Sequence, residues 1–464
     1  MKKQAEFDEL MKKAESGDVE AQYKVGQKYY FGNGVEQDYK KAFEWYKKCA
    51  ETGKYEAQVN LAGMYYYGEG VEQDYRQAFE WYEKCAIQGN RNDLYMLGRM
   101  YYYGEGVDQD YKKSFEWYKK SAEQGDSLAQ FFLGFMYYHG DGVEQNHDKA
   151  FEWYKKSAEQ GNVLAQYEVG MIYYCAKNDM RDLEKALFWF EKAAIQGHPE
   201  AQCQLGEMYV TGHGVDKDIE KAYDWFLKAA EQGEAHAQYC LGQMYYYGDG
   251  VEKNRDKAVE WYKKSAEQGN PYAQAKFGGV YFFGVGVEQN STKAAEWFAK
   301  AAVQDNSDAQ YCLGNLYYYG DGVEQDYGKA FEWYEKAALQ GNMLAQRSLA
   351  PMYYYGYGTK KSLKKAFKWC HKAAVQGDAY AQYFLGYMYY HGDGVEKNVL
   401  KAYEWYEKSA EQGEPNSQFE LGKMYSEGEG VKQDYKKAIE WYKKAAGQGD
   451  MEAKKRLSEL EQGE

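Results

Sequence analysis

The sequence has few of the residues that most catalytic and metal sites require. It contains 7 histidines among 464 residues, and none of them occurs in HExxH or another paired ligand spacing. Its 7 cysteines are scattered without a CxxC motif, so we interpret them as small buried residues in a reducing compartment. No Ser-His-Asp or Cys-His set can be singled out. We therefore expect no catalytic site, no metal site and no cofactor.

The chain also lacks a basic excess and long apolar runs. Its formal net charge is −14, from 58 basic and 72 acidic residues, which argues against nucleic acid and anionic membrane surfaces as partners. No run approaches the roughly 20 apolar residues of a membrane span, and the first residues do not resemble a signal peptide. We expect a cytoplasmic protein if the chain is full length, and a secreted protein or effector if a signal was trimmed.

What the sequence does contain is a repeat of 36 residues without insertion or deletion. Each repeat is numbered from its opening position, which is Ala21 in repeat 1 and Ser417 in repeat 12. A fixed period of this size indicates stacked supersecondary structures. The tryptophans all fall at position 25, at Trp45, Trp81, Trp117, Trp153, Trp189, Trp225, Trp261, Trp297, Trp333, Trp369, Trp405 and Trp441.

Within each repeat, the apolar spacing predicts two helices. Positions 1, 5, 8, 9 and 12 share the face of a helix A, and positions 22, 25, 26, 29 and 30 share the face of a helix B. Asp or Asn at positions 34 and 18 predicts the N-caps, and Gly at position 33 predicts the end of helix B. A Gly-x-Gly-Val loop, such as 68–71, joins the two helices.

Two repeats and both ends depart from this pattern. Repeat 5 lacks both loop glycines over residues 175–180, and repeat 10 has Pro351 inside helix A and Cys370 after its tryptophan. We predict local bends there, with sequence drift as the alternative. Polar Glu9 and Glu461 replace core residues in the terminal helices, as capping requires.

The repeat resembles the Sel1-like repeat family, a relative of tetratricopeptide repeats. Repeat 9 shows the motif almost complete, from Ala309, Leu313, Gly314, Tyr317, Gly320, Gly322 and Val323 to Asp326, Lys329, Ala330, Trp333, Lys336, Ala337, Ala338 and Gly341. The resemblance implies an all-α, right-handed α-solenoid. We predict a capping half-repeat over residues 1–20, twelve repeats over 21–452 and a capping helix over 453–464.

The resemblance also implies a function, because similar proteins are mostly adaptors and scaffolds. We expect a protein-interaction scaffold that binds a protein or peptide, with a monomer favoured. One alternative is a bacterial host-interaction factor that binds a host protein. Another is a β-lactamase-like hydrolase, as linked to a cysteine-rich branch of the family, whose paired-cysteine pattern this chain lacks.

In tetratricopeptide-like solenoids, helix A lines the concave face, and positions 3, 7 and 10 point away from the core stripe. Positions 3 and 10 are mostly aromatic and position 7 varies, so we predict a tyrosine-rich groove tuned by position 7. Packing of the rings between neighbouring helices is the alternative at positions 3 and 10, and core packing is expected for the tyrosine at position 9. The matching motifs 131–139 and 383–391 suggest two anchor sites, unless they reflect duplication alone. The predicted partner-binding residues are Tyr95, Arg99, Tyr102, Phe131, Phe135, Tyr138, His139, Tyr239, Tyr246, Tyr311, Tyr318, Tyr383, Tyr387, Tyr390 and His391.

Overall fold

Helices make up all the regular secondary structure of the described residues. The computed structural model describes residues 2–176 and 181–462, and these ranges contain 26 helices and no strand. The helices are α1 (Lys2–Glu15), α2 (Val19–Phe31), α3 (Tyr39–Glu51), α4 (Tyr55–Tyr67), α5 (Tyr75–Ala86), α6 (Arg91–Tyr103), α7 (Tyr111–Glu123), α8 (Ser127–His139), α9 (His147–Glu159), α10 (Val163–Cys175), α11 (Leu183–Ile195), α12 (Pro199–Thr211), α13 (Ile219–Glu231), α14 (Ala235–Tyr247), α15 (Arg255–Glu267), α16 (Pro271–Phe283), α17 (Ser291–Ala302), α18 (Ser307–Tyr319), α19 (Tyr327–Leu339), α20 (Met343–Tyr355), α21 (Leu363–Val375), α22 (Ala379–His391), α23 (Val399–Glu411), α24 (Pro415–Glu427), α25 (Tyr435–Gly447) and α26 (Met451–Gln462).

The helices alternate between the two types that the repeat predicts. The even-numbered helices α2 to α24 are helices A, and the odd-numbered helices α3 to α25 are helices B. A lone helix B, α1, precedes repeat 1, and a lone helix A, α26, follows repeat 12. This confirms the all-α solenoid, whereas its handedness and the domain boundaries stay predictions. The chain divides into two compact halves, residues 1–229 and 230–464.

The helices begin at the predicted capping residues. Asp18 Oδ1 accepts a hydrogen bond from the backbone N–H of Ala21 at 2.8 Å, and Asp38 Oδ1 accepts one from Lys41 at 2.9 Å. Three prolines occupy the first helical turn, where the missing N–H costs nothing, at Pro199, Pro271 and Pro415. The caps therefore fix the same helix starts in repeat after repeat.

A small residue in helix A makes room for an aromatic ring from the paired helix B. In repeat 9, a Cβ added to Gly314 would lie only 2.7 Å from Cδ1 of Tyr334, whose ring is almost completely buried. Repeat 10 changes both partners together, because Ala350 stands opposite Cys370. The Cys370 thiol donates to the carbonyl of Ala381 at 3.1 Å. The unusual Trp-Cys pair of this repeat is thus matched by a larger residue in helix A.

A glutamine at position 2 joins its repeat to the preceding repeat in each half, and in most repeats it also pairs with a glutamine at position 32 of the same repeat; we call these residues the glutamine seam. In helix A of repeat 9, Gln310 Nε2 donates to the carbonyl of Ala302, in the preceding helix B, at 3.0 Å. Its amide oxygen accepts a hydrogen bond from Gln340 Nε2 at 2.9 Å. The seam thereby satisfies the buried amide of Gln310 and the carbonyl of Ala302. The same glutamine pair occurs at Gln130–Gln160, Gln166–Gln196, Gln238–Gln268, Gln274–Gln304, Gln346–Gln376, Gln382–Gln412 and Gln418–Gln448.

Every tryptophan at position 25 lies beneath a lysine three residues later. The ammonium Nζ lies between 3.8 Å, for Lys84 over Trp81, and 5.2 Å, for Lys192 over Trp189, from the ring centroid. Only Trp189 and Trp369 are buried, and the other ten rings are half-buried. The tryptophan therefore sits at the edge of the core, covered by a cation, and is less buried than its periodicity predicts.

Repeats 5 and 10 were predicted to bend. Helix α20 runs without interruption from Met343 to Tyr355 although Pro351 lies inside it. Helix α10 ends at Cys175, and residues 177–180 of the glycine-free turn lie outside the described residues. Pro351 therefore does not terminate its helix, and the bends stay predictions.

Candidate partner-binding site

The aromatic rings at position 3 lie against the position-26 ring of the same repeat. Phe131 lies 5.6 Å from Tyr154, and the two rings are tilted by 42°. Phe131 is buried, whereas the other predicted rings at position 3 are half-buried. These rings therefore pack within their own repeat and leave only part of their surface for a partner. The same pairing joins Tyr95 to Tyr118, Tyr239 to Tyr262, Tyr311 to Tyr334 and Tyr383 to Tyr406, at 5.7–6.2 Å.

Several tyrosines at position 10 bond to the loop of the following repeat. The Tyr102 hydroxyl donates to Asp141 Oδ2 at 2.9 Å, and the Tyr390 hydroxyl donates to the carboxylate of Glu429. Burial and the neighbouring carboxylate raise the pKa of Tyr102, so its hydroxyl keeps its proton. These tyrosines therefore connect two repeats in addition to lining the surface.

The remaining predicted tyrosines at position 10 have other neighbours. Tyr138 is exposed, and its ring lies 4.9 Å from His147. Tyr318 is half-buried, 5.1 Å from the ring of Tyr327. Neither hydroxyl has the acidic loop partner of Tyr102 among the described residues.

The predicted residues at position 7 lie in two kinds of environment. Arg99 Nη2 lies 3.7 Å from Glu105 Oε1, and its guanidinium lies 5.2 Å from the Tyr66 ring centroid. Phe135 lies 4.2 Å from the exposed ring of His139. The equivalent distance between Tyr387 and the exposed His391 is 4.3 Å. The two matching motifs thus have the same ring geometry.

Helices α14, α16 and α18 provide most of the wall of an open cavity of about 490 Å³ in the C-terminal half. Three predicted residues, Tyr239, Tyr246 and Tyr311, line it, whereas Tyr318 does not. The other predicted residues at positions 3, 7 and 10 lie elsewhere. This volume is within the range of roughly 300–1,000 Å³ that is common for ligand pockets.

The cavity exists because repeat 8 has small residues where its neighbours have large ones. Ala275 occupies position 3 and Gly279 occupies position 7, and a Cβ added to Gly279 would meet no atom within 4 Å. Val285 takes the loop position that is acidic next to Tyr102, so Tyr246 faces an apolar side chain across the cavity. The three residues of repeat 8 that depart from the repeat pattern therefore all line this cavity.

A few polar groups complete the cavity wall. Gln243 Nε2 donates to the Tyr239 hydroxyl at 2.6 Å, and Gln243 Oε1 accepts from the Tyr262 hydroxyl at 2.7 Å. Lys276 is exposed at the rim. Burial raises the pKa of the Cys312 thiol to about 11, so this thiol stays protonated at neutral pH. The arrangement suits binding of an apolar or aromatic group rather than nucleophilic chemistry.

Sequence reasoning found the tyrosines of this cavity but missed the residues that open it. Ala275 and Gly279 attract no attention as single residues, since small residues are common in helices. The available signal was the gap that Ala275 makes at the mostly aromatic position 3, together with a glycine at the variable position 7. That gap becomes informative once the neighbouring rings are known to remain in place.

Two further observations bear on the alternatives. All seven cysteines are free thiols. Within residues 2–176 and 181–462, no helix has both the length and the apolar character that are needed to span a bilayer.

Comparison with known proteins places the chain in a family. It is 35% identical to the structure of c5321, described as a protective antigen of uropathogenic Escherichia coli strains displaying an SLR fold, with a TM-score of 0.77 and coverage of 98% of this chain and 94% of that one. It is 32% identical to a Sel1 repeat protein from Oxalobacter formigenes, over 75% of this chain and 91% of that one, with a TM-score of 0.49. No curated protein matches this sequence.

The repeats themselves match the Sel1 repeat twelve times. The matched residues are 19–53, 56–90, 93–126, 127–162, 163–198, 199–234, 235–270, 271–306, 307–342, 344–378, 379–414 and 415–450. These segments cover most of the chain, and their helix pairs are those of the fold described above. The chain therefore belongs to the Sel1 repeat family.

Proposed function

We propose that this protein is an interaction scaffold that binds a segment of a partner protein on the aromatic surface of its helices A. Sel1 repeat proteins generally mediate protein–protein interactions, and their solenoids are typically scaffolds without catalysis. Tyrosine-rich surfaces suit this role because the ring supplies contact area and a polar tip at a low cost in entropy.

The observation that carries the proposal is the cavity between α14, α16 and α18. It combines tyrosine and phenylalanine walls with a small number of polar groups, and its floor is open at Gly279. Binding energy in protein interfaces concentrates on a few large side chains that fill such pockets. The cavity therefore accepts one aromatic or large aliphatic side chain of the partner, while Gln243 and Lys276 provide polar contacts at its edge.

Filling the cavity from inside tests the proposal. Gly279→Met should occupy the floor without strain, because a Cβ there contacts nothing and the residue is helical. Gly447→Met is the matched control, since Gly447 is also helical, also has open space at Cβ and is exposed on α25. Peptides of random sequence displayed on phage would be selected against the unmodified protein.

The selected peptides should share one aromatic or large aliphatic residue. Their affinity for Gly279→Met should fall about tenfold or more, or about 1.4 kcal/mol, while Gly447→Met should bind as the unmodified protein does. Equal binding by both variants would contradict a role for the cavity. Circular dichroism of both variants would verify that the helices are intact.

A further inference from the structure

Repeat 10 carries a basic surface in a chain whose net charge is −14. It contains six lysines and one arginine against a single acidic residue, Asp378, and Arg347 Nη1 already lies 3.3 Å from Asp378 Oδ2. By contrast, repeat 9 has two lysines and five acidic residues, and repeat 11 has three lysines and six acidic residues. The six lysines of repeat 10, which we call the lysine patch, are all exposed in the loop before α21 and on α21 itself, at Lys360, Lys361, Lys364, Lys365, Lys368 and Lys372.

The patch replaces an acid that separates the lysines of other repeats. Position 24 is Glu or Asp in ten of the twelve repeats, whereas repeat 10 has Lys368 there. Lys364, Lys368 and Lys372 therefore follow one another at intervals of four residues, along one face of α21. In repeat 12 the middle residue of the same three is Glu440, between two lysines. Like charges at this spacing destabilise a helix, so the folding of α21 does not explain the arrangement.

The patch also lacks acidic partners within the chain. In repeat 9, position 18 is Asp326, whose Oδ2 lies 3.8 Å from Lys329 Nζ. In repeat 10 that position is Ser362, so the equivalent Lys365 has no carboxylate beside it. Within residues 2–176 and 181–462, none of the six lysines of the patch forms an ion pair.

Aromatic rings account for three of these lysines and leave three without any partner. Each of the first three has its Nζ over a ring centroid, with Lys361 5.7 Å from Tyr354, Lys365 5.1 Å from Tyr353 and Lys372 4.4 Å from Trp369. In the part of the chain that the structure describes, Lys360, Lys364 and Lys368 have neither an ion pair nor such a ring. Their ammonium groups are therefore available to a partner.

Exposed tyrosines lie in the same loop as the first lysines. Tyr357 occupies position 13, which is acidic in both adjacent repeats. Its ring is 43% exposed, stacks on Tyr327 with centroids 5.5 Å apart, and lies 5.6 Å from the ring of Tyr355. Exposed tyrosines add contact area and a polar tip to a binding surface. Repeat 10 thus replaces acids by lysines on its helix B and by an aromatic ring in its loop.

We propose that the lysine patch and the adjoining tyrosines bind a short acidic segment of a partner protein. Aspartate and glutamate side chains of this segment pair with the ammonium groups of Lys360, Lys364 and Lys368. Helix α21 has 13 residues and is about 20 Å long, which matches about six residues of extended chain. Because the patch lies on a helix B, this proposal goes beyond the binding on helices A and does not depend on the cavity.

The charges on both sides of the patch favour a short protein segment over other acidic partners. A nucleic acid strand or an anionic membrane would extend over repeats 9 and 11 and meet their acidic residues. A segment of about six residues stays within repeat 10, where the one acidic residue is already paired with Arg347. Complementary charge also promotes the approach of such a segment from solution.

Fluorescence anisotropy with fluorescein-labelled hexaglutamate tests the proposal on the full chain at low ionic strength. The test variant is Lys360→Gln with Lys364→Gln. The control is Lys432→Gln with Lys436→Gln, because these exposed lysines occupy the same positions, 16 and 20, in repeat 12. Both variants remove the same charge, but the control lysines have acidic residues at positions 18 and 24 of their own repeat.

Hexaglutamate should bind the unmodified protein and the control equally. It should bind the test variant about fivefold more weakly, as expected for the loss of two exposed ion pairs. Neutral hexaglutamine should not bind, and added salt should weaken the binding of hexaglutamate. Equal affinities of the test variant and the control for hexaglutamate would overturn the proposal.

A second variant, Lys368→Glu, restores the acid that is usual at position 24. It should weaken the binding of hexaglutamate while α21 stays folded, because the other repeats form this helix with an acid there. Circular dichroism would verify that the helices are intact. Unchanged affinity of this variant for hexaglutamate would also overturn the proposal.

The same variants separate the other possible occupants of the patch. Tighter binding of a labelled six-nucleotide oligothymidylate or of phosphatidylserine vesicles, lost in the test variant, would overturn the acidic segment in favour of nucleic acid or membrane. Self-association in sedimentation velocity that the test variant abolishes would overturn it in favour of a second copy of this chain. Gly279→Met should bind hexaglutamate as the unmodified protein does, so either proposal can fail while the other stands.

Discussion

Replacing Cys370 by tyrosine should destabilise repeat 10, although tyrosine is the commonest residue at this position in the other repeats. The reason is the methyl group of Ala350 on the facing helix. In repeat 9, where the facing residue is Gly314, an added Cβ would lie 2.7 Å from the Tyr334 ring. A tyrosine at position 370 would meet the same clash.

Repeat 2 shows how the clash can be avoided and why repeat 10 cannot use that solution. Repeat 2 also has an alanine, Ala62, yet keeps Tyr82. The Tyr82 hydroxyl lies over Gly63, where an added Cβ would be 3.8 Å away. In repeat 10 the residue after the alanine is Pro351, so a proline ring stands at the position where Gly63 has no side chain.

The expected losses of stability follow from two effects, overpacking at position 370 and the loss of a methyl group at position 350. Overpacking a buried site costs about 1–3 kcal/mol, so Cys370→Tyr alone should cost about 2 kcal/mol. Ala350→Gly alone should cost about 2 kcal/mol, from lower helix propensity and a lost buried methyl group. The double variant recreates the glycine–tyrosine pair of repeat 9, so it should lose about 2 kcal/mol less than the sum of the single variants.

Native-state hydrogen exchange, measured by mass spectrometry on peptides from α20 and α21, is the suitable assay. A long repeat array need not unfold in one step, whereas exchange reports the opening of each helix separately. Gly314→Ala in repeat 9 is the control, because it creates the same clash and should lower protection of α18 and α19. Additive losses in the double variant would refute the reasoning.

Two further predictions concern other repeats. Asp93 is 1% exposed and accepts a hydrogen bond from the Tyr55 hydroxyl at 2.6 Å. Burial raises the pKa of its carboxyl group, so protonated Asp93 should stabilise the folded state at low pH. This contribution to stability should be lost as the pH rises through the pKa of Asp93 in the folded state. Melting temperatures measured against pH should therefore show a loss that Asp93→Asn removes, and an identical profile for both proteins would contradict this. For the matching motifs, Phe135→Ala with Tyr387→Ala should weaken binding of an identified partner about tenfold or more in a titration, and unchanged affinity would leave duplication as their explanation.

The fold could be predicted from sequence because each signal is local and recurs in every repeat. The caps at Asp18 and Asp38 act on a backbone N–H three residues away, and the apolar spacing acts within one helix. The roles of the surface rings were harder to predict. The bond from Tyr102 to Asp141 joins residues 39 positions apart, so no pattern within one repeat reveals it.

The cavity illustrates a second reason why sites escape sequence reasoning. Tyr239 and Tyr311 were predicted as binding residues from their own chemistry, and both line the cavity. The space between these tyrosines exists because Ala275 and Gly279 have no large side chains to fill it. An absent side chain produces a pocket only when the surrounding rings do not collapse into it, and that depends on packing across three repeats.

The glutamine seam determines how this protein can change in length. Where a glutamine occupies position 2, its amide donates to a carbonyl of the preceding helix B, so the junctions between such repeats present matching surfaces. Removing or duplicating 36 residues joins surfaces that already match, whereas a shift by one residue moves the position-2 glutamine away from the carbonyl that it binds in the preceding helix B. The array can therefore be lengthened or shortened in whole repeats, and each added repeat extends the reach of the chain along a partner without a new design of the junction.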